Sequence, residues 1–524
     1  MEGKTPITEE TRLAGLGRDQ AMKRKFNLTS LIFMGFCTSV SWEVITASMA
    51  QSLLAGGSSS VVWGFLASAV GALMIAFSLS EYASIIPTAG GQYHYVAALA
   101  PPRMRQFLSW VAAWVTIWAW VTAALAGLFA STMQLQSYII LFTDGYVYER
   151  WHTCLILIAQ TVWCTAISIF AVKWLHHLTF LGVTIHIIGY LTTIIWLLTH
   201  VHPKNTATFV FTDLTNLSGW SSNGVAWSIG LMGSALSMSN WDTSMHLAEE
   251  MKDASRDLPK TSKSTRIVWG CVLASGLLTF PWVIALMFCI TDVQAVLRGP
   301  VGTIAPLPQL IYNVSGGDMH ATVGVSCFML VLSLVVGGPS VITATSRIVW
   351  SFAKEGALPP LFGQVNPYFD VPVNAVLLVT FIISAMSFIY VGNTTAFYSI
   401  SSGVTAVMIF SYSFPIMLDL LWGMRKNNLQ PGSFRLGRLK TPVNVFAVCW
   451  SIYLIVFMCF PTSMPVTKAN MNYTVVIFAF PFVVAGLSWV LYGRRTYHGV
   501  IFDSGYITGQ ETSTGVEAAC HKSE

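Results

Sequence analysis

Two tripeptides place an acid directly after a tryptophan, Ser41-Trp42-Glu43 and Asn240-Trp241-Asp242. Each closes a run of small and hydroxyl residues inside an apolar stretch: Gly35-Phe36-Cys37-Thr38-Ser39-Val40 before the first, and Gly230 to Ser239 before the second. Such a run interrupts a helix and bares backbone and hydroxyl groups that can hold a solute. A carboxylate in a low-dielectric site pairs with a cation or takes up a proton, and an indole face accepts a cation. A charge at membrane depth costs about 3 kcal/mol or more, so Glu43 and Asp242 are the leading functional candidates. The competing reading pairs each acid with a hydroxyl or histidine to hold a helix bundle, with His246 close to Asp242. His186, inside Val183-Thr184-Ile185-His186-Ile187-Ile188, is either a proton-coupling group or a satisfied core residue. Trp110, Trp114 and Trp118 share one helix face, as cation-π walls or as an interhelical stripe. The candidate substrate-binding set is Thr38, Ser39, Ser41, Trp42, Glu43, Trp118, Ser239, Asn240, Trp241 and Asp242. The proton-coupling candidates are Glu43, His186 and Asp242.

The elements that must position these residues are membrane helices. The chain has 524 residues, 54% of them hydrophobic and 10% charged, against roughly a quarter charged in soluble domains. Twelve apolar segments are long enough to span a bilayer: 28–54, 61–84, 107–133, 151–172, 178–200, 224–244, 268–290, 321–352, 373–390, 397–422, 443–461 and 473–492. With a cytosolic N-terminus, 24 of the 28 Lys and Arg fall inside, leaving Arg150, Lys204, Arg298 and Lys468 outside, as the positive-inside rule requires. The sequons at Asn216, Asn313, Asn393 and Asn472 also fall outside, and that at Asn27 inside. Residues 1–27 and 493–524 are read as cytosolic tails flanking a permease domain over 28–492. Gly337-Gly338-Pro339-Ser340 predicts a kink in the eighth span.

The same residues exclude other classes. The cysteines form no Cys-x-x-Cys pair, and Cys37, Cys164, Cys271 and Cys449 sit in apolar runs as core residues. The polar N-terminus lacks the apolar stretch of a cleaved signal peptide. No nucleotide loop, metal spacing or nucleophile constellation stands out, so no enzyme, cofactor, metal or nucleic-acid partner is expected. A channel is disfavoured by paired breaks and scattered polar positions.

The chain resembles the amino acid-polyamine-organocation superfamily and, within it, the fungal amino acid, choline and GABA permeases. Three motifs carry the resemblance: Ser80-Glu81-Tyr82-Ala83-Ser84-Ile85-Ile86-Pro87-Thr88-Ala89-Gly90-Gly91-Gln92-Tyr93; His246, Glu249 and Glu250 with Ala254 and Pro259; and Ser346-Arg347 with Trp350, Phe352-Ala353, Gly356, Leu358-Pro359 and Pro372-Val373-Asn374-Ala375. The resemblance implies a LeuT-type core of two inverted five-helix repeats, about 28–200 and 224–422, with two further helices over 443–492. It also implies a solute site between broken first and sixth helices and coupling to protons. Glu249, Glu250 and Arg347 are cytosolic gate candidates, or ordinary surface charges. Family members that bind amino acids carry a glycine pair at the first break; here the stretch is Cys37-Thr38-Ser39-Val40-Ser41, so an amine-bearing solute such as an amino acid, GABA or choline fits better than a carboxylate clamp alone. The expected function is proton symport by alternating access at the plasma membrane, a vacuolar membrane being the other location. The alternatives are a nutrient receptor with a permease fold and an amino acid/polyamine exchanger.

Overall fold

In lipid, every backbone N–H and C=O must be paired within its own segment, and the apolar stretches accordingly fold as helices. The computed structural model describes residues 28–500, apart from 87, 247–262, 303, 428, 430, 431, 433 and 469. The main helices are α1 (Leu28–Ser39), α2 (Ser41–Ile85), α3 (Gln92–Leu99), α4 (Arg105–Phe142), α5 (Arg150–Phe170) and α6 (Leu175–His200). They continue with α7 (Asn223–Ser237), α8 (Thr243–His246), α9 (Lys263–Cys289), α10 (Met319–Leu332) and α11 (Gly338–Lys354). The last four are α12 (Val373–Gly392), α13 (Thr394–Leu421), α14 (Lys440–Met458) and α15 (Thr474–Ser488). Among the described residues the only strand-like pairing is an isolated bridge between Asn366 and Val371.

All twelve expected apolar segments fall on helix, and among the described residues ten stretches are long and apolar enough to cross a membrane. One of the ten, Ile32–Ile85, has 54 residues and would run ~80 Å if straight, against ~30 Å of hydrocarbon. It is interrupted at Val40 and again at Gly57. At the second point Ser60 Oγ donates to Ser52 O, eight residues back, at 3.0 Å, so the chain reverses. Gly57 has φ 66° and ψ −169°, and an added Cβ would lie 2.7 Å from Thr215 N and 2.8 Å from Asp213 O. The sixth segment is split into α7 and α8, of 15 and 4 residues, each too short to qualify alone.

The bundle packs α2 against α7 and α9, α4 against α11, α13 and α15, and α5 against α12. The kink of the eighth segment is present as a five-residue π turn, Ser333–Gly337. A carbonyl of the turn is taken up by α5, Trp163 Nε1 donating to Leu334 O at 3.2 Å, and Ser168 Oγ of α5 donates to Pro339 O just beyond the turn at 3.0 Å. A Cβ on Gly338 would lie 2.7 Å from Cys164 Sγ, so the kink serves close packing. The tryptophan stripe of α4 is interhelical. Trp110 Nε1 donates to Ala485 O at 2.9 Å, Trp118 Nε1 to Ile477 O at 3.2 Å, and Trp118 lies 4.3 Å from the Phe480 ring. The sequon asparagines do structural work as well. Asn472 is buried and donates to Met458 O and Phe460 O, both at 2.8 Å; Asn216 donates to Trp220 O at 2.8 Å.

Gly57→Ala puts a side chain into a backbone region open essentially to glycine alone, with backbone atoms in its way. The expected cost is about 2–4 kcal/mol, read as a lowered melting temperature of the detergent-solubilised protein; wild-type stability would show that the reversal does not depend on Gly57.

Candidate functional site

Both interrupted helices break where the small-residue runs predict. Val40, between α1 and α2, has φ 35° and ψ 45°, and Asn240, between α7 and α8, has φ 63°. Among the described residues the non-glycine positions with positive φ are Val40, Asn240 and Asp370, so the two breaks hold two of the three. Such backbone costs about 1–3 kcal/mol per residue, more for a β-branched side chain, and persists only where surroundings enforce it. The breaks enforce each other. Thr38 Oγ1, bonded within α1 to Met34 O at 2.8 Å, also reaches Asn240 O at 3.3 Å. Thr243 Oγ1 donates to the same carbonyl at 2.9 Å. A Cβ on Gly35 would sit 3.3 Å from Trp241 O, so glycine lets α1 approach the second break.

Glu43 stands in the first turn of α2, where the helix N-terminus favours a negative charge. It is 6% exposed, and its Oε1 lies 2.7 Å from His186 Nδ1 of α6. The approach is off the line of a hydrogen bond. Aromatic rings wall the pair: Phe36 lies 4.7 Å from His186, Trp42 lies 4.6 Å from Trp282, and Tyr190 lies 5.4 Å from Trp282.

Asp242 is closed off completely. Its carboxylate accepts from Gln92 Nε2 at 2.5 Å and from Tyr412 OH at 2.6 Å, and faces His246 Nε2 at 3.2 Å. His246 Nδ1 lies 2.9 Å from Ala89 O, and a carbonyl only accepts, so Nδ1 carries hydrogen. Nε2 is then the ring nitrogen that faces the Asp242 carboxylate. Tyr412 also accepts from Asn240 N at 3.2 Å and lays its ring 5.0 Å from Trp241. Trp120 meets His246 edge-on at 5.3 Å.

The polar atoms at the breaks divide sharply. Thr38 and Ser39 are bonded within α1 and Ser239 within α7, to Ala235 O at 3.1 Å. By contrast Ser41 Oγ, Trp42 Nε1, both Glu43 oxygens, Asn240 Oδ1, Trp241 Nε1 and Ser244 Oγ are buried without a hydrogen-bond partner among the described residues. An unmet buried polar atom costs about 1–3 kcal/mol, and orphaned acceptors and donors gathered at two touching breaks suit a polar solute. A cavity of ≈ 20 Å³ beside Trp241, Tyr412 and Ser239 has room for water and not for a solute.

The structure thus gathers Thr38, Ser39, Ser41, Trp42, Glu43, His186, Ser239, Asn240, Trp241 and Asp242 around the breaks. It does not bring Trp118 there, because that ring turns to α15. Arg347 is fully buried in α11, its Nη1 on Ser346 Oγ at 3.3 Å, which removes the surface-charge reading for this residue. Glu249 and Glu250 lie outside the described residues. Sequence reasoning missed Gln92, Trp120, Tyr190, Trp282 and Tyr412. The polar run Ser411-Tyr412-Ser413 inside apolar α13 was the one available signal. Among the described residues no three His, Cys, Asp or Glu side chains converge as a metal would require.

Residues 26–481 match the family described as "Amino acid permease". The chain is 30% identical over 485 residues to "Choline transporter" of Saccharomyces cerevisiae, covering 91% of this chain and 83% of that one. It is 26% identical to "Amino-acid permease 2" of Neurospora crassa, covering 98% and 94%. It is also 28% identical to "Amino-acid permease BAT1" of Arabidopsis thaliana, covering 94% and 96%.

Tyr412→Phe removes the hydroxyl that serves both Asn240 N and Asp242, with an expected loss of about 1–3 kcal/mol. Asn240→Gly, which suits a positive φ, is expected to stay within about 1 kcal/mol of wild type. Melting temperatures of the two purified variants check this; equal values would mean the tyrosine does not hold the break.

Proposed function

We propose that this chain, which belongs to the amino acid permease family, is a proton-coupled secondary carrier for a small amine-bearing solute such as an amino acid, GABA or choline. The observation that carries the reading is the set of buried, unpartnered polar atoms at the two touching breaks, centred on Glu43. A solute ammonium offers what both Glu43 oxygens and Asn240 Oδ1 lack. The indoles of Trp42 and Trp241 suit the methylated face of a quaternary ammonium. The absence of a glycine pair over Cys37 to Ser41, together with the likeness to a choline transporter, favours an amine over a carboxylate as the group recognised at α1.

Twelve crossings follow if Ile32–Ile85 counts as two, because it reverses at Gly57, and α7 with α8 counts as one broken span. The distribution of Lys and Arg then supports cytosolic termini, and the two breaks become equivalent members of inverted repeats over 28–200 and 224–422. Alternating access rocks one repeat against the other around the breaks. The coupling proton resides on the Asp242–His246 pair, where it balances a buried charge while the pathway is closed; its loss disfavours that state and shifts the equilibrium. Glu43 faces His186 until the ammonium arrives. The plasma membrane is the proposed location.

Uptake of radiolabelled choline, GABA and a panel of amino acids into permease-deficient yeast at two external pH values tests this. Acid-stimulated, saturable uptake of one amine is expected. Glu43→Gln should raise its KM at least about tenfold, the equivalent of losing ~1.4 kcal/mol of charge pairing, and Asp242→Asn should abolish the acid stimulation. Surface-expressed protein that takes up no panel member would overturn the assigned solute class; an unchanged KM in Glu43→Gln would move the ammonium elsewhere.

A further inference from the structure

The residues after the last membrane-length helix turn back into the end of the bundle assigned above to the cytosol. Tyr497 is 4% exposed. Its ring meets Trp110 at 5.2 Å and Phe352 at 5.6 Å, and its hydroxyl lies 3.1 Å from Ser109 Oγ and 3.5 Å from Glu355 Oε2. His498 N donates to Glu355 O at 3.1 Å, and Gln106 Nε2 reaches His498 O at 3.4 Å. Gly356 has φ 80°, and a Cβ there would lie 2.2 Å from Thr496 O, so the two backbones touch.

Glu355 is the node of this contact. Its Oε1 takes His94 Nε2 at 2.8 Å and Tyr93 OH at 3.3 Å, while Gln92 at the start of the same helix α3 holds Asp242. The turn leading into α3 is wedged between the two networks. Thr88 Oγ1 meets His94 Nδ1 at 2.5 Å, and a Cβ on Gly90 would lie 2.3 Å from His94 Nε2. On the other side Ala89 O bonds His246, and a Cβ on Gly91 would lie 2.7 Å from His246 Cε1. Contacts therefore run without interruption from Tyr497 through Glu355, His94 and the 88–91 turn to His246 and Asp242. A path of packed, hydrogen-bonded groups of this kind is what carries coupling between distant parts of a fold.

We propose that Glu355, His94 and Tyr497 are positioning residues for the cytosolic closure of the transport path, and that residues 494–500 are a strap whose seating holds that closure. The strap fixes Glu355, Glu355 fixes His94, and the turn thus held keeps Gln92 and Ala89 in place to clamp α8. The meaning of closure rests on the transport reading; the contacts do not.

The test uses the full-length chain in inside-out yeast membrane vesicles, with Ser244→Cys in α8 as reporter and the native, fully buried Cys164 of α5 as control. A membrane-impermeant maleimide is applied, and each cysteine peptide is followed by mass spectrometry, with and without Tyr497→Ala, Tyr497→Phe and Glu355→Gln. Labelling of the reporter should rise about five- to tenfold in Tyr497→Ala and Glu355→Gln, as loss of one net buried hydrogen bond shifts a two-state equilibrium. Tyr497→Phe, which keeps the ring in place, should rise less, and Cys164 should stay unlabelled. Unchanged reporter labelling in both Tyr497→Ala and Glu355→Gln would overturn the proposal, as would a parallel rise at Cys164, which signals loosening of the whole bundle. The readout needs no solute, so absence of uptake with this labelling response intact would sink the transport reading and leave the strap standing.

Discussion

A broken helix inside a membrane leaves backbone groups that neither lipid nor the helix itself can satisfy, and most of this fold answers that constraint. Non-helical backbone survives at such depth only where protein surrounds it. Here the answer is reciprocal: Thr38 Oγ1 of the first break meets the Asn240 carbonyl of the second, and Tyr412 from α13 takes the Asn240 N–H. Val40 resumes the helix at once, its carbonyl accepting from Val44 N at 2.9 Å. The cost of a left-handed valine is therefore borne at a single residue. Several buried side-chain polar atoms beside these two points, those of Ser41, Trp42, Glu43, Asn240, Trp241 and Ser244, have no hydrogen-bond partner among the described residues.

Buried acids elsewhere show why Glu43 differs. Asp419 receives Lys440 Nζ at 2.8 Å, Tyr82 OH at 2.8 Å and Asn444 Nδ2 at 3.1 Å, and Lys440 also lies 3.5 Å from Glu81. This cluster ties the end of α2 to α13 and α14 and gives Ser80-Glu81-Tyr82 a structural role. Glu355 and Asp242 are likewise held by several donors. A buried carboxylate with good hydrogen bonds on all sides anchors structure, since breaking one such pairing costs about 3–5 kcal/mol. Glu43 has one off-line contact with a histidine and nothing more among the described residues, so its charge is the one most open to a competing cation.

Sequence revealed what is local. Apolar length located the helices, and small-residue runs located both breaks, because a helix interrupted in lipid must be built from residues that tolerate the interruption. It also placed Glu43 and His186 correctly inside their spans. What it could not give was pairing across the chain. His186 and Glu43 are separated by 143 positions, and Gln92 and Asp242 by 150; nothing in either segment names the other. Trp118 shows the same limit from the opposite side. A repeat of four tells which tryptophans share a face, but the face met α15 rather than the breaks, where Trp120, two residues on, stands instead. Arg347 lies in a polar stretch that reads as surface, yet α11 is buried along that length.

The two halves of the sixth segment are held in unequal ways, and this asymmetry bears on which of them moves. The longer half, α7, packs along α2 through glycines: a Cβ on Gly230 would lie 2.7 Å from Ser60 Oγ, and one on Gly233 2.7 Å from Ser48 Oγ. Close backbone packing of this type is distributed over many atoms and has no single point of release. The shorter half, α8, is one turn long and buried against α1, α9 and α11, and polar contacts from Ala89, Gln92 and Tyr412 reach His246 and Asp242. These contacts converge on two side chains, Asp242 and His246, and are not spread along a helix face. Under the proposed rocking motion, keeping the glycine-packed interface intact places the hinge at Asn240, whose backbone already sits outside the helical region, and carries α8 away from the turn that clamps it.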